Sequence, residues 1–304
     1  DSADLFGTKA RAELVAHAMS MYVQPLFALQ RPTVHVGTGL LRYNRIEGVS
    51  VGVSIRQQLG AGYAANLTGR LGTADLSPNV TLDLTRTDLQ HTWTLAGYHA
   101  LAAVGDDAPL SAGSSVGALL FGRDEGFYYR RAGLALAYTS MPISSGVRFS
   151  WRLFADRQDA ARTRATWSVA RTMRDTNITA VSAGFAGLGL DASHSLGRVG
   201  GGLQLTSALQ LEAAVTDASS RPGYARGMVQ LALTHSVGGY GSVLQLSGGS
   251  SRGALPPQRL WYLGGTRTLS GLSFGTAGGD AFWLARAEVG RGKPLFRPGV
   301  FADL

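Results

Sequence analysis

From Val34 onward, apolar and polar residues alternate with a period of two. Val49, Val51, Val53 and Ile55 oppose Ser50, Gly52, Ser54 and Arg56, and Val80, Leu82 and Leu84 oppose Thr81, Asp83 and Thr85. The same alternation marks Val147, Phe149, Trp151 and Leu153 against Arg148, Ser150 and Arg152, and Leu203, Leu205, Leu209 and Leu211 against Gln204, Thr206, Gln210 and Glu212. Period two is the signature of strands with unlike faces. About thirteen such strands can be placed, the weakest over Arg162 to Arg171. Their length of roughly 9–11 residues suits a tilted transmembrane strand, whereas a soluble sandwich uses strands nearer 5–6 residues. Mid-strand charges (Arg70, Asp83, Arg148, Glu212, Arg226) all fall on the face that carries Ser, Thr, Gly or Gln. That face suits water and the other suits lipid.

The alternation breaks in three places. Residues 1–45 read as a lead-in, with one amphipathic helix before Pro25 and Pro32, and residues 46–304 read as the strand domain. Residues 103–127 form a long interruption in which Val116 to Phe121 could be a short helix or a buried segment. Leu260 to Asp280 is too glycine-rich for a helix and too irregular for a strand, and it carries more aromatic residues than a solvated loop needs.

Composition narrows the class. The 304 residues include 41 Gly and no Cys, and only 16% are charged, against about 25% in an ordinary soluble domain. No disulfide framework or thiolate metal site is possible without cysteine. No stretch approaches the roughly 18 apolar residues of a transmembrane helix, so a membrane-spanning chain here must be a closed barrel, which satisfies every backbone group in lipid. The net charge of +8 comes almost wholly from arginines spread singly along the chain. No basic run is present, and nucleic-acid binding is not expected.

Catalytic chemistry is sparse. The six histidines lie far apart, and Ser193-His194-Ser195 falls in an expected turn with no acid placed to assist it. Gly197 to Gly202 precedes no helix, so it does not read as a phosphate cradle. No catalytic, metal or cofactor site is assigned, and the chain is not expected to be an enzyme.

Two stretches resemble the bacterial surface antigen superfamily, which contains the outer-membrane-protein insertases of BamA type and the two-partner-secretion transporters. The first is Leu260-Trp-Tyr-Leu-Gly-Gly-Thr-Arg-Thr-Leu-Ser-Gly-Leu272, followed by Gly278-Gly-Asp-Ala-Phe-Trp-Leu-Ala-Arg-Ala-Glu288 and Val300-Phe-Ala-Asp303. The second, Arg42-Tyr-Asn-Arg-Ile-Glu-Gly48, looks like the start of the first barrel strand. The resemblance implies an all-β, antiparallel, 16-stranded transmembrane barrel, of which 12–13 strands are present, with about three more needed beyond Leu304. It also implies a long loop folded into the lumen after the eleventh strand, a count reached here if Arg162 to Arg171 is a strand. By that parity 103–127 lies at the opposite, periplasmic end, where turns are normally short.

The lumen-loop motif then comprises Gly264, Gly265, Arg267, Ser270, Gly271 and Leu272. Ser270 stands where the family places a loop-tip arginine, so Arg267 is the substitute, with Glu288 and Asp303 as its expected partners. The implied function is insertion or translocation of polypeptides at the bacterial outer membrane. The expected partners are outer-membrane lipid, lipopolysaccharide and unfolded client chains, around a monomeric barrel without cofactor. A passive pore or anchor for an upstream domain is the alternative, and a soluble all-β binding protein is the third.

Overall fold

The structure, a computed structural model, describes residues 30–105, 108–140, 146–173, 176–197, 202–220, 222–237, 239–266, 268–291 and 299–303. One antiparallel sheet dominates. Its strands are β1 (Thr33–His35), β2 (Arg42–Asn44), β3 (Gly48–Gly60), β4 (Tyr63–Gly72), β5 (Pro78–Thr87), β6 (His91–Ala103), β7 (Tyr128–Ser140) and β8 (Val147–Ala160). They continue through β9 (Ala183–Gly197), β10 (Leu203–Thr216), β11 (Gly223–Val237), β12 (Tyr240–Gly253), β15 (Ala281–Arg291) and β16 (Gly299–Asp303). Two short strands, β13 (Trp261–Leu263) and β14 (Ala277–Gly279), pair only with each other. Each long strand pairs with its neighbours in sequence, so the sheet is a meander from β1 to β16.

Register sorts the two faces. Ile55 pairs with Leu67, Leu67 with Leu82, and further round Leu84 pairs with Leu95, Leu95 with Leu136, Leu136 with Leu153 and Leu153 with Leu188. The leucines of these ladders are exposed, from 37% at Leu136 to 50% at Leu82 and Leu95. The opposite face carries Asp83, Arg131, Arg152, Asp156, Asp191, Glu212, Arg226, Arg286 and Glu288, each on the other parity of its strand.

Several expectations are corrected. The antiparallel sheet has thirteen strand positions, within the 12–13 expected to be present, but it is an open path without pairing between β1 and β16 among the described residues, and no closed sixteen-stranded barrel is seen. Residues 1–29 lie outside the described residues, and the sheet already begins at Thr33, inside the expected lead-in. There β1 pairs with Ser54–Arg56 and β2 with Gly48–Ser50, so 33–44 runs as one broken strand alongside β3. Arg42–Gly48 is therefore the hairpin between first and second strand positions. Arg162 to Arg171 is not a strand, because its amides bond to other connections: Arg164 and Ala165 N–H to the Arg45 carbonyl at 2.9 Å, and Val169 N–H to that of Leu119 at 2.9 Å. Ser193–Ser195 lies within β9, not in a turn.

Exchanging 162–171 for 33–44 keeps eleven strand positions before the long loop but reverses the parity of 103–127. The long connections 104–127, 161–182 and 254–280 now leave the same end of the sheet as the 45–47 hairpin. The other end has only connections of two to seven residues. In the tightest of these, Gly62 has φ +79°, and a Cβ there would sit 2.3 Å from the Thr87 carbonyl oxygen.

The long connections build one cap. Helix α1 (Ala112–Phe121) starts on Ser111, whose hydroxyl accepts from Ser114 N–H, and stops at Gly122 in the left-handed region, the common stop and start signals. The Ser115 hydroxyl on this helix accepts from Tyr43 N–H at 2.9 Å. Arg45 donates to the Asp124 and Gly126 carbonyls, and its N–H bonds to the Asp124 carboxylate at 2.8 Å. Burial pushes the Asp124 carboxyl above its ordinary range, against the pull of Arg45 and of the Tyr128 hydroxyl.

Residues 42–48 are all buried, which for so polar a stretch requires complete pairing. Glu47 supplies it. Its carboxylate accepts from Arg42 Nε and Nη2, each at 2.6 Å, from Asn44 at 2.7 Å and from Asn79 of β5 at 2.8 Å. Glu47→Ala should therefore cost about 3–5 kcal/mol, the scale for breaking a buried pair. Denaturant midpoints of the two proteins measure this, and a loss under about 0.5 kcal/mol, the scale of a neutral surface change, would contradict the assignment.

Candidate functional site

After β12 the chain turns inward. Leu255, Pro256 and Gln258 are buried, and Leu255 joins the interior cluster of Ala135, Phe154, Ala183, Phe185, Ala214 and Tyr224. The two prolines of Pro256-Pro257 favour extended backbone at the first and a tight turn after it, and a single 3-10 turn follows at Pro257–Arg259. That turn aims Gln258 and Arg259 at the inner wall.

Arg259 Nε donates to Glu212 of β10 at 2.8 Å and to the Tyr224 hydroxyl of β11 at 3.0 Å. Its Nη1 donates to the Tyr129 hydroxyl of β7 at 3.0 Å. Tyr224 in turn donates to Glu212 at 2.6 Å. Arg226 of β11 lies 3.7 Å from the same carboxylate and donates to the Arg259 carbonyl at 3.0 Å. Gln258 exchanges hydrogen bonds with the Val181 backbone and donates to Gln158 of β8 at 3.2 Å.

These contacts define the shape of the sheet. Neighbouring strands are about 4.8 Å apart, so β7 and β11, four steps apart, would be about 19 Å apart in a flat sheet. One guanidinium bonds to both through tyrosines that stand off the wall, as a sheet curled around it allows. The charged face is thus the inner wall and the Leu/Val face the outer one.

Beyond Arg259 the segment makes its own hairpin, β13 with β14, and packs Trp261 on Phe282 and Tyr262 on Phe127. Phe127 also meets Phe274 at 5.0 Å. The 104–127 connection, which sequence reasoning left without a role, is therefore the seat of the loop. Its Glu125 accepts from Thr266 N–H at 3.0 Å and from the Thr266 hydroxyl at 2.8 Å.

The residues singled out from sequence fall at this tip. Gly264 has φ +113°, and a Cβ there would lie 2.1 Å from the Ser273 carbonyl oxygen, so only glycine fits. Gly265 N–H bonds to the Leu272 carbonyl at 2.8 Å, closing the tip, while Gly271 and Leu272 are exposed. Arg267 lies outside the described residues. Ser270, in the place of the family's arginine, accepts from Arg286 Nη2 of β15 at 2.7 Å. Glu288 stands two residues along β15 on the same inner parity, and the Asp303 backbone is the register partner of Arg286; the Asp303 side chain lies outside what is described.

Sequence reasoning missed Arg259, one residue before the stretch it isolated. A signal was available, since Pro256-Pro257 points a fixed turn at a wall whose Glu212 and Arg226 were already assigned to the wet face. The site offers no acid–base constellation, and no group of three or more His, Asp or Glu among the described residues could hold a metal. What the arrangement can do is hold an occluding segment by polar contacts.

No family model matches the sequence, and no curated protein matches it. Among solved structures the chain is similar to CdiB from Acinetobacter baumannii, with a TM-score of 0.41 and 12% identity, over 88% of this chain and 46% of that one. The chain thus spans about half of that protein's length. At that level the likeness carries no argument for fold or function.

Arg259→Ala removes the nearer of the two guanidiniums on Glu212 and the partner of the Tyr129 hydroxyl, leaving Glu212 with Tyr224 and the more distant Arg226, with an expected cost of about 3 kcal/mol to the docked segment. Arg259→Lys should recover little, because one ammonium cannot reproduce the guanidinium fork. Limited proteolysis should show faster cutting within 254–276 in both variants, and unchanged cutting would refute the lock.

Proposed function

We propose that the chain is the β-barrel part of an outer-membrane protein of the surface antigen superfamily, acting in insertion or translocation of polypeptides. On this reading segment 254–280 occludes its lumen. One observation carries the membrane reading: the same strands present exposed leucine and valine outward and arginine, aspartate and glutamate inward. Contiguous exposed apolar surface of this extent is rare on soluble monomers and expected against lipid. Support also comes from aromatic residues at the short-turn end. Trp93, Tyr138 and Trp151 cluster with ring centroids 5.1–6.0 Å apart, where barrels carry an interfacial girdle.

The polypeptide-handling role is the finer step. It is supported by the two family-like stretches meeting at one end, where Arg45 bonds to Gly126 and Thr266 to Glu125. It is also supported by the way segment 254–280 is held to the wall through side-chain contacts of Gln258 and Arg259. Lipid and lipopolysaccharide surround the outer face on this reading, client chains are the transient partners, and no catalytic group or cofactor is needed.

In planar bilayers the full protein should conduct poorly, and Arg259→Ala should conduct more. Depletion in cells should lower the level of other outer-membrane or secreted proteins. A wide, constitutively open pore with no effect of depletion would favour the passive pore instead. Recovery in the soluble fraction without detergent would remove the membrane reading altogether.

A further inference from the structure

Next to the Arg259 lock, and sharing its residues, the inner wall forms a cavity of about 200 Å³, lined by Ala102, Ala103, Gly105, Tyr129 and Glu212 together with four arginines, Arg131, Arg152, Arg226 and Arg259. Its lining thus holds four arginines and one carboxylate. Arg226 and Arg259 share that carboxylate, whereas Arg131 and Arg152 form no ion pair among the described residues. Arg131 Nε is buried without a hydrogen-bond partner, an arrangement that leaves a charged donor costly unless something accepts from it. Of the nearby acids, Asp156 accepts from Tyr98 and from Gln158, each at 2.9 Å, and Asp191 of β9 lies within electrostatic reach of Arg152 without forming an ion pair with it.

The arginines are also held in place. Arg131 lies over the Tyr98 ring at 4.7 Å, Arg152 over Phe154 at 4.9 Å, Arg226 over Trp261 at 4.8 Å and Arg259 over Tyr129 at 5.2 Å. At Arg131 and Arg152 a ring against the guanidinium face leaves the N–H edge to donate, and that edge matches tetrahedral oxyanions bidentately.

We propose that this cavity is a binding site for a small phosphate-class oxyanion, held by Arg131 and Arg152 with Arg226 and Arg259 completing the positive field. It is smaller than the roughly 300 Å³ at which organic-ligand pockets begin, so its occupant is a free inorganic oxyanion and not a nucleotide or a lipid headgroup with its chains attached. The site rests on these residues alone and stands whether or not the chain handles polypeptides.

The test is calorimetric titration of the full chain in detergent micelles with inorganic phosphate, at constant ionic strength set by chloride. One saturable site is expected, unaffected by exchanging chloride for another monovalent anion. Arg131→Gln and Arg152→Gln should each weaken phosphate by about tenfold or more, the scale of one lost charge-assisted bond. Arg56→Gln, an arginine outside the cavity, should not. Arg152→Lys keeps the charge and should bind better than Arg152→Gln, which separates a site from a folding defect, and circular dichroism checks the sheet in each variant. Absence of saturable binding to the parent protein, or equal affinity in the folded glutamine variants, would overturn the proposal.

Discussion

A guanidinium taken out of water must be neutralised, and the Arg259–Glu212 contact is where that requirement shapes this molecule. The pair is costly to desolvate and more costly to break, so its members stay together once the segment is docked. Because Arg259 also bonds to Tyr129 and Tyr224, the neighbouring strands β10 and β11 are tied to β7 through one atom group. The inward course of 254–280 follows from that convergence, and the curl of the sheet brings its partners within reach.

The cap depends on a second buried carboxylate. Glu47 gathers Arg42, Asn44 and Asn79, and Arg45 then reaches the 122–127 connection. That connection seats the loop through Glu125 and Phe127. Polar knots at the cap and on the inner wall thus hold opposite ends of the same segment. Between them lies an arginine-rich cavity whose charge exceeds what its own carboxylate can balance.

Much of the strand pattern was legible in the sequence, because a two-residue alternation is a local property and each long strand faces two unlike surroundings. Arg148, Glu212 and Arg226 could be assigned to the wet face for that reason alone. Arg162 to Arg171 shows the limit. Its alternation is real, but its hydrogen bonds go to Arg45 and to α1, which no local pattern reveals. The broken strand at 33–44 was hidden for the opposite reason: it is two three-residue pieces too short to show a period. Together these shifted the parity and placed 104–127 at the wrong end. At the site, Glu212 was visible as a wall charge, whereas Arg259 became meaningful only when the turn after Pro257 had a direction.

The position of the segment on the inner wall can be measured directly. The chain has no cysteine, so Gln158→Cys combined with Gln258→Cys introduces one reactive pair, at residues whose side chains now touch at 3.2 Å. A short bis-maleimide should bridge that pair in intact membranes, and should fail to bridge Leu153→Cys with Gln258→Cys, whose first thiol lies on the outer face. No bridging of the inner pair, or equal bridging of both, would contradict a segment held inside the curled sheet.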